Sequence, residues 1–133
     1  MITGLAHVCF TVSDLEASIA FYERGLGFRH AFDFTRDTGE RFGAYLHVGG
    51  RSFVELFAGE VGERAEKQTY RHMCLEVDDI DATLRELAAR GIEATEKKLG
   101  TDRSWQAWIT DPDGNRIELH QYTAESKQNV ALG

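Results

Sequence analysis

The chain is short of basic residues and of long apolar runs, and each shortage excludes a class of protein. Its 133 residues contain 15 Lys and Arg against 22 Asp and Glu, for a formal net charge of −7. A protein that binds the phosphate backbone of nucleic acids usually has the opposite balance. No apolar run approaches the ~18 residues that span a bilayer, and the first residues show no signal-peptide pattern. We expect a cytoplasmic protein that binds neither nucleic acid nor membrane.

Cysteine is scarce as well. The two cysteines, Cys9 and Cys74, each lie inside a predicted core strand. Thiols in such strands are usually buried and reduced, so we expect neither a disulfide nor thiolate ligands. The chain also lacks HExxH or any similar local metal motif. Any metal site must therefore be assembled from residues that are far apart in the sequence.

What the chain does contain is an internal repeat. Residues 7–17 read HVCFTVSDLEA and residues 72–82 read HMCLEVDDIDA, which are identical at five positions. The histidines that open the two copies, His7 and His72, are separated by 65 positions. Such a repeat indicates two copies of one supersecondary unit.

A glutamate recurs near the end of each copy. Glu55 lies in FVELF and Glu118 in RIELH, where the offset between the copies has shortened by two. Because alternate side chains of a strand share a face, each glutamate points away from the apolar residues beside it. A carboxylate on a concave sheet face is costly unless it is paired or coordinated.

Two histidines and two glutamates in equivalent positions predict a metal site, because a pseudo-twofold between the copies would bring all four to one axis. Neutral imidazoles and carboxylates suit one divalent ion, Ni²⁺, Co²⁺, Zn²⁺, Mn²⁺ or Fe²⁺, and leave one or two positions open. A closed structural zinc site would more often use thiolates, so the open site is predicted to be catalytic. The four predicted ligands are His7, Glu55, His72 and Glu118.

The apolar pattern predicts the order βαβββ in the first copy. Ser13 and Glu16 form a capping box that starts a helix after the first strand. Three further strands follow and are separated by turns. The predicted strands are 5–12, 28–35, 43–49 and 51–58.

The second copy repeats this order. Asp78 and Asp81 are predicted to cap its helix, and DPDGN closes a hairpin between its last two strands. Its predicted strands are 70–77, 92–97, 104–110 and 115–122. The polar tail is expected to be loose or to act as a contact arm. The predicted divisions are a first module (1–58), a charged linker (59–69), a second module (70–122) and the tail (123–133).

These residues resemble the vicinal oxygen chelate superfamily of glyoxalase, bleomycin-resistance and dioxygenase proteins. The resemblance rests on HVCFTVSDLEASIAFYERGLGF, RHMCLEVDDIDATL and DPDGNRIEL, and it extends from His7 to about Tyr122. It implies an α+β fold of two βαβββ modules whose curled mixed sheets form a metal-centred cleft. Each curled sheet would present an open edge and a half-site, so we also expect a homodimer.

Members of this superfamily differ in their metal ligands. Glyoxalase I has His, Glu, His and Glu, as this chain does, whereas methylmalonyl-CoA epimerase has Gln where Glu55 stands. Extradiol dioxygenases and fosfomycin-resistance transferases use His, His and Glu, and bleomycin-binding proteins lack the ligands. The resemblance is therefore closest to glyoxalase I, the lactoylglutathione lyase.

The activity implied is a metal-dependent lyase or isomerase reaction on a small substrate with vicinal oxygens. A proton would move through a metal-bound enediolate, with Glu118 or Glu55 as the catalytic base. The alternatives are an Fe- or Mn-dependent dioxygenase or thiol transferase of the same superfamily, and a non-enzymatic drug-binding resistance protein.

Two positions depart from the glyoxalase I pattern. That enzyme has an Arg four residues after its first ligand and an Asn four residues after its second, and both bind glutathione. This chain has Thr11 and Gly59 there. Without a charged partner for the γ-glutamyl carboxylate, the enzyme is expected to prefer a substrate other than the glutathione adduct.

Tryptophan and arginine residues near the predicted site are candidates for binding substrate. Trp105 and Trp108 lie on the strand that pairs with the strand of Glu118, one as pocket wall and the other in the core. A four-residue turn would place Trp105 on the metal face, and a one-residue bulge would place Trp108 there. Arg103 could hold a substrate carboxylate, as could Arg116.

Overall fold

Each copy of the repeat folds as a strand, a helix and three further strands. The computed structural model describes residues 1–133. It divides them into a first unit, Met1–Glu63, and a second unit, Arg64–Gly133. The prediction of an α+β fold built from two βαβββ modules is confirmed. None of the helices is long and apolar enough to cross a membrane.

The elements are numbered in chain order through both units. Those of the first unit are β1 (His7–Val12), α1 (Leu15–Ala20), a π-helical turn (Phe21–Gly25), β2 (Arg29–Thr35), β3 (Arg41–Gly49) and β4 (Ser52–Ala58). Those of the second unit are β5 (Met73–Glu76), α2 (Ile80–Ala89), β6 (Lys98–Leu99), β7 (Trp105–Thr110), β8 (Arg116–Gln121) and α3 (Lys127–Leu132).

Each unit contains an open four-stranded mixed sheet. The first sheet has the order β1-β4-β3-β2, and the second has the equivalent order β5-β8-β7-β6. β1 pairs in parallel with β4, and β5 pairs in parallel with β8. The other neighbouring strands are antiparallel. The parallel pair needs a long crossover, which includes the helix of the repeat.

Strand alternation separates a core face from an open face in both sheets. Val54 and Leu56 of β4 are fully buried, and so are Ile117 and Leu119 of β8. Burying such a side chain stabilises the fold by roughly 1.5–3 kcal/mol. The residues between them, which include Glu55 and Glu118, lie on the opposite and more accessible face.

Gly43 of β3 allows an aromatic ring to lie across this open face. It pairs with Phe57, and a Cβ at position 43 would lie 2.6 Å from a ring carbon of that residue. Any larger side chain would displace the phenyl ring or the strand. The glycine is therefore required by close packing rather than by a turn.

Both predicted helix caps are wrong by one residue. The N-cap of α1 is Asp14, whose carboxylate accepts a hydrogen bond from Ala17 N at 3.0 Å. The N-cap of α2 is Asp79, which accepts from Ala82 N at 2.9 Å. An aspartate satisfies a free N–H and also places negative charge at the positive end of the helix, which outweighs the capping box.

In the second unit, one predicted strand is shorter than expected and another is absent. The strand predicted at 70–77 is reduced to Met73–Glu76, and 92–97 is not a strand. Here Thr95 N donates to Trp108 O, but Trp108 N donates to the Thr95 hydroxyl instead of to a carbonyl, both at 3.0 Å. A side-chain oxygen thus replaces the backbone acceptor, and regular pairing begins only at β6.

The segment expected to be a loose tail contains a short helix. Ser126 is fully buried before α3, and its hydroxyl lies 2.7 Å from that of Ser104. Gln128 donates to Asp102 Oδ2 at 2.6 Å. The pattern was missed because two buried serines and an amide, rather than apolar side chains, attach this segment.

Candidate metal centre

The first unit brings one predicted His–Glu pair together. His7 at the start of β1 and Glu55 on the adjacent β4 share the open face, with His7 Nε2 3.7 Å from Glu55 Oε1. The carboxylate is 17% exposed. Tyr45 lies opposite Glu55 on β3, and its hydroxyl is 3.0 Å from His7 Nδ1. If Nδ1–H donates to Tyr45, the lone pair of Nε2 is free to bind a ligand.

The second unit contains the equivalent pair. His72 immediately precedes β5, and its Nε2 lies 3.0 Å from Glu118 Oε2 on β8. The Glu118 side chain is 12% exposed. Trp108 is opposite Glu118 in register and meets the His72 ring edge to face, at a centroid distance of 4.7 Å.

The donor atoms of each pair suit a divalent metal ion. Two ligands bound at about 2.0–2.2 Å with tetrahedral or octahedral angles lie roughly 3.0–3.5 Å apart. The 3.0 Å separation in the second unit falls in this range, and the 3.7 Å separation in the first is slightly longer. Imidazole and carboxylate donors are both present in each unit. That all four residues bind one ion stays a prediction.

Glu118 has a second partner that has no equivalent in the first unit. His120 Nδ1 lies 3.1 Å from Glu118 Oε1, and only 7% of His120 is exposed. The positions of Cys74, Glu118 and His120 also bring three possible metal-binding atoms within 4.8 Å of one another. The sequence showed that His120 shares the face of Glu118, but a lone histidine gave no reason to assign it a role.

The cysteines are not buried as predicted. Cys9 and Cys74 are both exposed, because alternation places them on the open face beside Glu55 and Glu118. Desolvation by surrounding atoms, followed by contact with Glu55, raises the pKa of the Cys9 thiol. Although Cys74 is exposed as a residue, desolvation of its thiol and the charge of Glu118 raise its pKa to about 12. Both thiols are therefore protonated at neutral pH without metal.

The register of the last hairpin places Trp108, rather than Trp105, on the open face. The turn occupies 111–115, and Thr110 pairs with Arg116 across it. Trp108 consequently faces Glu118, and the Arg116 guanidinium lies 4.2 Å above its ring. Trp105 lies on the face of the buried residues Ala107 and Ile109, which is the opposite side of the strand.

Arg103 and Trp105 line a different surface from the His–Glu pair. They border a cavity of ≈ 590 Å³ together with residues of the segment around α3. The Trp105 ring is also covered by Lys97, whose Nζ lies 4.7 Å from the ring centroid. The structure therefore does not bring these two predicted substrate-binding residues together with His72 and Glu118.

Thr11 and Gly59 occupy adjacent places at the end of the first parallel strand pair. A Cβ at Gly59 would lie 2.8 Å from Thr11 Cγ2, and Gly59 N donates to Val12 O at 3.1 Å. The Thr11 methyl group thus occupies the space that a side chain at position 59 would need. The two residues that depart from the glyoxalase I pattern are therefore neighbours, and a larger side chain at position 59 would require a change at position 11.

Comparison with known proteins agrees with this architecture. The model of the Glyoxalase/Bleomycin resistance protein/Dioxygenase superfamily matches residues 4–119. Among curated proteins, the metallothiol transferase FosB of Staphylococcus epidermidis is 31% identical over 132 residues, which cover 95% of this chain and 87% of the relative.

Two solved structures extend the comparison. The antibiotic-binding protein TnmS3 from Streptomyces sp. CB03234 is 28% identical with a TM-score of 0.74, covering 92% of this chain and 98% of that one. A lactoylglutathione lyase from Agrobacterium tumefaciens has a TM-score of 0.68 and covers 90% of this chain and 94% of that one. At 20% identity the latter likeness shows the fold alone.

Proposed function

The chain belongs to the glyoxalase/bleomycin resistance protein/dioxygenase superfamily, and on that premise we propose a divalent-metal-dependent lyase or isomerase. The substrate is a small molecule with vicinal oxygens, and the reaction moves a proton between adjacent carbons. The observation that supports this most directly is the duplication of the His–Glu pair on the open face of both sheets. A protein that only sequestered a drug would have no need of two such carboxylates.

One metal ion would be held by a pair from a first unit and a pair from a second unit, within one chain or across two chains. A bound divalent ion supplies Lewis-acid polarisation of the substrate oxygens. An oxygen of Glu55 or of Glu118 then takes the proton from the carbon beside the carbonyl and returns it to the neighbouring carbon. Trp108 forms an apolar wall beside His72.

The substrate is not expected to be the glutathione hemithioacetal. Thr11 has an uncharged side chain and Gly59 has none, where a charged or amide group would hold the γ-glutamyl end. Binding energy from remote parts of a substrate is needed to position the reacting atoms. A compact 2-oxo or 2-hydroxy carbonyl compound fits this site better.

Thiol transfer is the second candidate, and the 31% identity to a metallothiol transferase favours it. Superfamily transferases use His, His and Glu, so the equivalent of Glu55 has no metal role in them. Here Glu55 Oε1 lies 3.7 Å from Nε2 of the predicted ligand His7, on the same face of the sheet. The role of Glu55 therefore distinguishes the two reactions.

The test measures both reactions on protein supplied in turn with Ni²⁺, Co²⁺, Zn²⁺, Mn²⁺ and Fe²⁺. Proton transfer is followed by ¹H NMR in D₂O, as deuterium enters the carbon beside the carbonyl of small 2-oxo and 2-hydroxy compounds. Thiol transfer is followed with fosfomycin and a panel of thiols. Metal-dependent deuterium exchange supports the proposal, whereas thiol adducts without exchange would replace it by the second candidate.

Glu55→Gln sharpens this comparison. If the reaction is proton transfer at a four-ligand site, the variant loses metal affinity and exchange together. If the reaction is thiol transfer, the variant keeps both metal and activity. Glu60→Gln is the matched control, because it removes the same charge from an exposed position beyond β4.

A further inference from the structure

His120 forms a buried contact with one carboxylate oxygen of the predicted ligand Glu118, and the other oxygen faces His72. Its Nδ1 is 3.1 Å from Glu118 Oε1, while Glu118 Oε2 faces His72 Nε2 at 3.0 Å. This contact is a hydrogen bond to the carboxylate if Nδ1 carries the ring proton. The Glu118 side chain is thereby fixed at both oxygens.

The far nitrogen of His120 is directed at a second carboxylate. Nε2 is buried without a hydrogen bond, and the nearest carboxylate oxygen is Asp102 Oδ2 at 3.5 Å. Hydrogen bonds from Gln128 Nε2 and Ser104 N lower the pKa of Asp102, which therefore stays ionised. The Tyr122 ring contacts the His120 ring edge to face at 5.1 Å and limits its rotation.

Asp102 is in turn fixed by the first two residues of α3. Gln128 Nε2 donates to Asp102 Oδ2 at 2.6 Å, and Lys127 N donates to Asp102 O at 2.9 Å. A continuous set of contacts therefore runs from α3 through Asp102 and His120 to Glu118. The first unit has nothing comparable, since Phe57 stands where His120 stands, two residues after the glutamate of its strand.

We infer that His120 is a positioning residue that holds the Glu118 carboxylate, with Oε2 directed to His72 and available to one metal ion. The metal-binding part rests on the proposed function. The hydrogen bond itself does not, and it can be tested on protein without metal. The second unit would then supply a fixed carboxylate and the first unit a less constrained one.

The first experiment determines the tautomer of His120 in metal-free protein. Long-range ¹H–¹⁵N correlation spectra of ¹⁵N-histidine-labelled protein distinguish Nδ1–H from Nε2–H, and His120→Asn assigns the signals. We expect a protonated Nδ1 whose signal shifts in Glu118→Gln. An unprotonated Nδ1, or a signal indifferent to Glu118→Gln, would overturn the inference.

The second experiment measures dissociation constants for Co²⁺ and Zn²⁺ by chelator competition. Loss of a residue that orients a metal ligand typically weakens binding by about 10–100-fold. We expect that loss in His120→Phe, which copies the packing of Phe57, and recovery to within a few-fold in His120→Asn, whose amide can still donate. A merely structural role would not separate these two variants.

The outcomes separate this inference from the proposed function. If the wild-type protein binds no divalent metal but shows the Nδ1–H tautomer coupled to Glu118, the proposed function fails and the positioning of Glu118 stands. If metal binds and His120→Phe has unchanged affinity, the inference fails and the proposed function stands. The melting temperature of each metal-free variant checks folding, and His120→Leu, which also lacks a donor, provides the test should His120→Phe not fold.

Discussion

Tyr45 and Trp108 are equivalent residues in the two units. Tyr45 is opposite Glu55 in register and meets the ring of His7 at 5.7 Å and 68°, while Trp108 is opposite Glu118 and meets that of His72 at 4.7 Å and 86°. Each aromatic ring thus restricts the histidine that precedes its glutamate along the repeat. Edge-to-face contacts of this kind contribute about 0.5–1.5 kcal/mol beyond burial. The two units place a His, a Glu and an aromatic ring in the same arrangement.

Replacement of Trp108 should weaken both metal and substrate binding. Trp108→Ala removes the wall beside His72 and the ring beneath Arg116. From the magnitudes of aromatic and cation–π contacts, we expect the metal dissociation constant to rise about 2- to 10-fold. Because the pocket wall is also lost, KM should rise further. Isothermal titration with Co²⁺ and steady-state kinetics measure the two effects.

Trp105→Ala is the matched control for this prediction. Trp105 is a tryptophan of the same strand on its other face, where it contacts Lys97. We expect a lower melting temperature with an unchanged metal dissociation constant. A larger effect on metal affinity from Trp105→Ala than from Trp108→Ala would show that the register of this hairpin does not define the site.

A metal ion should stabilise the folded protein, because it binds the folded state and not the unfolded one. At a free concentration 100-fold above the dissociation constant the gain is about 2.7 kcal/mol, which for a domain of this size is roughly a 10 °C rise in melting temperature. His7→Ala and His72→Ala should each reduce this rise. Scanning calorimetry with and without chelator provides the measurement.

His30→Ala is the control for that experiment. His30 lies between Glu23 and Asp33, at 2.6 and 2.9 Å, and not beside the His–Glu pair of its unit. The variant should melt at a lower temperature while keeping the full metal-dependent increase. If metal raises the melting temperature of His7→Ala and His72→Ala as much as that of the wild type, the predicted ligand set is wrong.

The repeat was sufficient to predict the fold class and the open face of each sheet, because both follow from a period of two in duplicated strands. It did not predict features that depend on competition between neighbouring hydrogen-bonding groups. Asp14 displaced the Ser13 capping box, and the Thr95 hydroxyl interrupted strand pairing. The face of the sheet on which Trp108 lies depends on the number of residues in the 111–115 turn. One residue more or less in that turn would change the pairing register and move every side chain of the strand to the opposite face relative to its partner.

The partners of Glu118 could not be predicted from the sequence, for a different reason. His120 belongs to no motif and has no counterpart in the first copy, and its relevance follows only from sharing a face with the largely buried carboxylate of Glu118. Asp102 and Gln128 are further removed, since their link to Glu118 passes through His120. Sequence patterns identify duplicated residues well, whereas residues present in one copy alone give no repeat to detect.

Turnover of the methylglyoxal–glutathione hemithioacetal should be weak even with a complete metal site. We expect kcat/KM well below the ~10⁶ M⁻¹s⁻¹ of an efficient enzyme, measured as S-lactoylglutathione formation with Ni²⁺, Co²⁺ or Zn²⁺. The double variant Thr11→Arg/Gly59→Asn should improve it by about 10- to 100-fold, because a hydrogen bond to a charged group contributes ~1.5–3 kcal/mol. Gly59→Asn alone should not, since its Cβ would meet Thr11 Cγ2 at 2.8 Å. Efficient turnover by the wild type would instead identify an ordinary glyoxalase I.

We expect a homodimer, because each sheet is open and each unit has only half of the predicted ligand set. Sedimentation equilibrium at micromolar concentration should give twice the chain mass of 15.0 kDa, and a single-chain mass would contradict the prediction. Mixing His7→Ala with His72→Ala then tells how the pairs combine. If one chain's first unit shares an ion with its partner's second unit, each mixed dimer contains one site with both histidines intact, and metal binding returns to half of the dimer's sites. If both pairs come from one chain, every site in the mixture lacks a histidine, and binding does not recover.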